Sequence, residues 1–182
     1  MKKNTTPDIL STIVDHHNVL RESIEVLKQD DATPAQKKKH LGQFIQVLQM
    51  HAHAEQETLY ACIREIDGLK PFALEGQEEH DIAESLLMQL QAMNFENDWN
   101  DEVASKAKVL AELVEHHIDE EEKEFFPEIR KYMIPIELEG LRDEYLARCE
   151  KYLTQYEALP LVSSLVKGAV SRATMYVNRF TR

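Results

Sequence analysis

Apolar residues recur along most of this chain at steps of three and four, the period of a helix buried on one face. The first stripe is Ile9, Ile13, His16, Leu20, Ile24 and Leu27, and Thr6-Pro7-Asp8 opens it. A capping hydroxyl, a proline at the first helical position and an acid in the first turn predict a helix start there, running to about residue 29. Asp30-Asp31-Ala32 is a short loop, and Thr33-Pro34-Ala35-Gln36 has the capping-box pattern of a second start. The second stripe is Leu41, Phe44, Leu48, His51, Glu55, Leu59, Cys62 and Ile66, stopping near Asp67-Gly68 with Pro71 beyond. A third carries His80, Ala83, Leu87 and Leu90, ends near Asn94 and leads into a polar loop around Trp99. The fourth carries Val103, Ala107, Leu110, Val114, His117, Glu121 and Phe125, with Pro127 expected to kink or end it. Pro135 opens a fifth stretch with Leu138, Leu141, Tyr145 and Tyr152; Pro160 opens a sixth with Val162, Leu165, Ala169, Ala173, Tyr176 and Phe180.

Short connections between the first four helices predict an all-α fold, an up-down-up-down four-helix bundle over residues 1–132. Residues 133–182 are expected to form additional C-terminal helices, packed on the bundle or at a dimer contact. With 182 residues, 43% of them hydrophobic, the chain is long enough to bury a core of its own. The net charge of −12 argues against nucleic acid as the main partner. That charge is uneven. Residues 158–182 hold Lys167, Arg172, Arg179 and Arg182 and no acid, a charge of +4, which leaves −16 on residues 1–157. The tail reads as an amphipathic basic helix that docks on the acidic bundle or forms a homodimer contact. Gly168 and so modest a charge make a poor membrane anchor. Cys62 and Cys149 are isolated and suit a reducing compartment. Met1-Lys-Lys is followed by no apolar run, and no stretch approaches the roughly 20 apolar residues of a membrane helix, so a cytoplasmic protein is expected.

The stripes carry an unusual load. Each of the four bundle helices places one histidine on its apolar face: His16, His51, His80 and His117. The second and fourth add a glutamate one turn on, Glu55 and Glu121. These two helices also share a longer pattern: His51-x3-Glu55-x3-Leu59-Tyr60 repeats as His117-x3-Glu121-x3-Phe125-Phe126. Buried imidazoles and carboxylates are costly unless satisfied, and a metal ion satisfies them. A lone His-x3-Glu is weak, since His53/Glu57, His80/Glu84 and His116/Glu120 share the spacing. Four in-phase histidines with two in-phase glutamates are far harder to obtain as ordinary core polarity. The six residues His16, His51, Glu55, His80, His117 and Glu121 are therefore the candidate ligands for one or two transition-metal ions. Iron suits the mixed nitrogen and oxygen set, with manganese and zinc as alternatives. None of the eight histidines has an acid three residues before it, which disfavours a ferritin-type Glu-x-x-His site. His17, His53 and His116 are turned about 100° from their neighbours and read as surface or supporting groups. Glu120, Glu122 and Glu124 read as a solvated face. Tyr60 and Phe126 read as core aromatics, with the wall of a metal pocket as the alternative.

These residues resemble the hemerythrin-like family, also called the HHE cation-binding domain. The match rests on Asp15-His16, His51-x3-Glu55 with Leu59-Tyr60, Glu79-His80, and His117-x3-Glu121-Glu122 with Phe125-Phe126-Pro127, over roughly residues 8–132. The resemblance implies a four-helix bundle holding two iron ions, bridged by Glu55, Glu121 and an oxo or hydroxo group. It implies dioxygen binding or sensing, or handling of nitric oxide or peroxide, as a non-haem di-iron protein. The alternatives are a di-iron enzyme reducing peroxide or nitric oxide, or an iron-homeostasis or repair protein. A helical interaction module without metal is the third class. The chain departs from the oxygen carriers, which place a His-x3-His pair on the third helix. Gly76 stands four residues before His80, so one ligand position is open or is filled by Glu84, His53, His17 or water. The family's proline after Leu59-Tyr60 is Ala61 here, so the second helix is expected to run on unkinked.

Overall fold

Ser11 and Gln36 decide where the first two helices begin. The Ser11 N–H donates to the Asp8 carboxylate at 2.9 Å, and the Asp8 N–H donates to Ser11 Oγ at 3.0 Å. The cap of the first helix is thus Asp8 rather than Thr6, and a helix cap of this kind contributes about 1 kcal/mol. Thr33 and Gln36 form the same reciprocal pair at the second start. Arg130 also grips Asp8 at 2.7 Å and ties the start of the first helix to the last turn of the fourth rod. Burial works to raise the Asp8 carboxyl, but Arg130 and Ser11 outweigh it and hold it below the usual range. The stability it contributes is present above the ordinary carboxylate pKa and is lost as pH falls through the lowered value.

The computed structural model describes residues 7–157, and these form helices joined by short loops. Five rods are built from α1 (Ile9–Lys28), α2 (Pro34–Glu55) with α3 (Ala61–Ile63), α4 (Lys70–Ala92), α5 (Asp101–Glu120) with α6 (Phe126–Tyr132), and α7 (Pro135–Glu157). Asn94, at φ 52°, takes the left-handed conformation that ends α4. Asn100 caps α5, accepting from the N–H groups of Glu102 and Val103 at 3.1 and 3.0 Å. The first four rods form the up-down-up-down bundle, with α1 against α2 and α5, and α4 against α5.

Two rods contain a turn of π-helix, Gln56–Tyr60 and Glu121–Phe125. The second helix does run on past Ala61, as expected, but it does so through a π turn rather than as regular α-helix. A π turn takes in one extra residue, so the apolar stripe beyond it slips. Ile63 is fully buried there, while Cys62 is only half-buried. In the fourth rod Pro127 follows directly on the π turn, in the first turn of α6, and the rod runs on to Tyr132 rather than ending there. Each π turn begins directly at or after a candidate ligand, Glu55 or Glu121.

The fifth rod, α7, lies across α1 and α2 and buries Leu138, Tyr145 and Cys149. α1 is therefore covered on two sides, by the bundle interior and by α7, and both His16 and His17 are buried. Among the described residues no helix is long and apolar enough to cross a membrane. The helix expected from Pro160 and its docking or dimer contact lie outside the described residues.

Candidate metal centre

Helical spacing brings the two His-x3-Glu pairs to the middle of the bundle. His51 Nε2 lies 3.5 Å from Glu55 Oε2, and His117 Nε2 lies 3.6 Å from Glu121 Oε2. α4 adds His80, with Nε2 3.7 Å from Glu55 Oε2 and 3.0 Å from His117 Nε2. α1 adds His17, with Nε2 3.2 Å from Glu121 Oε2. Each carboxylate therefore stands between two imidazoles: Glu55 between His51 and His80, Glu121 between His17 and His117. Ligand atoms of His51, Glu55, His80 and His117 lie within 4.8 Å of one another, as do those of His17, His51 and Glu121.

All six residues are buried, and Glu55, His17 and Glu121 are 0% exposed. His17 Nε2, His51 Nε2, both Glu55 oxygens and Glu121 Oε2 have no protein hydrogen bond of good geometry. Each such buried polar group costs about 1–3 kcal/mol, more if charged. Five of them converging on one place is the signature of a site whose partner is not protein.

Electrostatics divide the site. Burial and the charge of Glu121 push the Glu55 carboxyl well above the carboxylate range. Burial acts the same way on Glu121, but His117, His17 and the Tyr60 hydroxyl overcome it and keep that carboxyl ionised. Burial drives His51 and His80 well below the ordinary imidazole value. His117 goes up, because Glu121 and Glu79 outweigh its burial. In the metal-free centre these directions favour the protonated forms of Glu55 and His117. Metal uptake displaces those protons, so affinity rises with pH.

The other nitrogen of each ring is held from behind. Glu122 lies 2.8 Å from His17 Nδ1 and Glu79 2.6 Å from His117 Nδ1. Gln56 stands 3.3 Å from His80 Nδ1, and the Tyr145 hydroxyl 3.0 Å from His51 Nδ1. The two carboxylates can only accept, so they place a proton on Nδ1 of His17 and His117 and leave Nε2 facing the centre, whereas the Gln56 amide nitrogen donates to His80 Nδ1. Glu122, expected on a solvated face, instead joins His17 to Arg21.

The structure brings together five of the six residues expected as ligands: His51, Glu55, His80, His117 and Glu121. It does not bring His16 into either group. The His16 ring turns toward α7, where Nδ1 lies 2.7 Å from the Tyr145 hydroxyl. His17 takes the place in the interior. One apolar stripe per helix is the assumption that assigns His17 to the surface, and it fails for α1 because α7 covers a second face. His53 is half-buried, 3.8 Å from Glu84, and His116 is exposed, 3.5 Å from Glu120. Glu79, His116 and Glu120 also form a looser group at the surface.

Tyr60 and Phe126 line the centre. The Tyr60 hydroxyl donates to Glu121 Oε1 at 2.6 Å, and its ring stacks on His80 with centroids 5.4 Å apart. Phe126 stacks on His17 at 6.0 Å. Tyr60 also explains the missing fifth histidine. A Cβ at Gly76 would lie 2.2 Å from the Tyr60 hydroxyl, so the phenol fills the space beside that position.

No curated protein is significantly similar in sequence. A crystal structure of a hemerythrin HHE cation-binding domain-containing protein from Mycobacterium kansasii superposes with a TM-score of 0.65 at 19% identity, covering 92% of this chain and 99% of that one. At that identity the likeness carries the fold alone. The sequence model of the hemerythrin HHE cation-binding domain matches residues 8–129, the span that holds all six converging side chains. The chain belongs to the hemerythrin HHE cation-binding domain family.

Proposed function

We propose that this chain is a non-haem di-iron protein that binds or senses dioxygen or a related small oxidant, nitric oxide or peroxide. One observation carries the reading. Glu55 and Glu121 each lie between an imidazole of α1 or α2 and an imidazole of α4 or α5, as bridging carboxylates of a two-ion centre do. In this reading His17 and His51 would hold one ion, His80 and His117 the other, and α1 would contribute through His17. Two irons supply redox exchange with a small oxidant. The protein's part is to hold the rings by their Nδ1 atoms, to keep the centre in an apolar surround, and to place the Tyr60 hydroxyl where it can donate to Glu121. The free cysteines fit a reducing cytoplasm.

A second reading, an enzyme that reduces peroxide or nitric oxide or a protein that stores or delivers iron, is favoured by the ligand count. Among the described residues only four imidazoles converge, leaving coordination free for a reacting molecule. Iron loading with azide and peroxide separates the readings. About two irons per chain and a visible spectrum altered by azide are expected. Catalytic consumption of peroxide moves the assignment to the enzyme. Uptake below about a tenth of an equivalent contradicts every metal-based reading and leaves a helical interaction module.

A further inference from the structure

The residue behind His51 comes from outside the bundle. Tyr145 belongs to α7, beyond the span 8–129 that matches the family, and is 0% exposed. Its hydroxyl lies 3.0 Å from His51 Nδ1 and 2.7 Å from His16 Nδ1, and it is hydrogen-bonded to the buried Cys149 thiol. A phenol has one proton to donate and two lone pairs to offer. If the O–H is directed at Cys149 Sγ, both lone pairs are left to accept, and both imidazoles donate from Nδ1. That leaves the lone pair of each ring on Nε2. For His51 this is the nitrogen that faces Glu55 without a partner.

We propose that Tyr145 is a positioning residue of the metal centre: its hydroxyl locks His51 in the ligating tautomer and holds His16 apart, so that His17 faces the ions. The proposal rests on the two-ion reading above. It makes α7 a working part of the centre rather than a cover. It also accounts for the tandem histidines: one is bound to the fifth helix, its neighbour to Glu121 and Glu122. His17 and His117 already have carboxylate acceptors at Nδ1 within the bundle, whereas His51 takes its Nδ1 partner from outside it.

Cobalt(II) is the probe, because the ring N–H protons of ligating histidines give shifted NMR signals. In the wild-type protein a His51 Nδ1–H signal should exchange slowly with solvent and show a cross-relaxation peak to the Tyr145 ring. Tyr145→Phe should speed that exchange and weaken one of two cobalt equivalents about 10–100-fold, leaving the other unchanged. Tyr152→Phe on the same helix, whose hydroxyl bonds Glu57 at the surface, should change neither. Wild-type affinity for both equivalents in Tyr145→Phe overturns the proposal. So does a phenolate-to-iron band in the ferric protein that Tyr145→Phe abolishes, since the phenol would then be a ligand itself. If Tyr145→Phe does not fold, the wild-type spectrum decides, and absence of the His51–Tyr145 peak overturns the proposal. Wild-type protein that takes up no cobalt instead contradicts the metal reading on which it rests.

Discussion

Glu121→Gln is expected to cut iron uptake from about two equivalents to one or fewer. The amide keeps the volume of the carboxylate but cannot carry the charge that two bridged ions would share. Glu121 lies at the point where the bundle's two halves meet, between His17 and His117, with Tyr60 donating to its other oxygen. Glu120→Ala, one residue away at the rim beside His116, should leave the iron content unchanged. The metal-free protein should respond more to Glu121→Ala. That change leaves the buried His117, whose charged form Glu121 and Glu79 favour, with Glu79 alone, and removing one member of a buried ion pair costs about 3–5 kcal/mol. Iron analysis and denaturant unfolding of the metal-free variants test both statements. Wild-type iron content in Glu121→Gln would mean that the ions lie elsewhere.

Gly76→Ala is the second large effect, and it acts without touching a ligand. On an ordinary helix this change stabilises by about 1 kcal/mol. Here the added methyl would lie 2.2 Å from the Tyr60 hydroxyl and 2.6 Å from the ring carbon that bears it. The ring cannot retreat easily, since it is buried, stacked on His80 and bonded to Glu121. Overpacking of this kind costs about 1–3 kcal/mol, and loss of a hydrogen bond to a charged group about 1.5–3. A net destabilisation of about 2–4 kcal/mol is expected in denaturant unfolding of the metal-free protein. In a Tyr60→Leu background the clash is gone, and Gly76→Ala should cost far less. Equal costs in the two backgrounds would show that Tyr60 and Gly76 are not coupled.

The same two residues mark where the sequence could be read and where it could not. Periodicity located the bundle helices, and Thr33-x2-Gln36 marked one of their starts, because capping and amphipathic phase are local properties. The in-phase Glu55 and Glu121 were legible for the same reason. His17 was not, because the stripe singles out His16, and His16 is buried instead against Tyr145 of α7, a contact made across more than a hundred residues. Glu122 was hidden by its neighbours, since in a run of acids only the partner, here His17, distinguishes one from the next. The π turns follow from no single residue. Ala61 lacks the proline that would have announced one, and the slip from Cys62 to Ile63 is visible only in the packed structure. Gly76 drew attention as a missing ligand, but what fills its space comes from another helix.

The most direct test of the two-ion centre is anomalous diffraction at the iron edge from crystals of the iron-loaded protein. Two peaks are predicted within bonding distance of the Nε2 atoms of His17, His51, His80 and His117, with the carboxylates of Glu55 and Glu121 reaching both. A bundle interior without a peak, or iron found only beside Glu79, His116 and Glu120 at the surface, would contradict it.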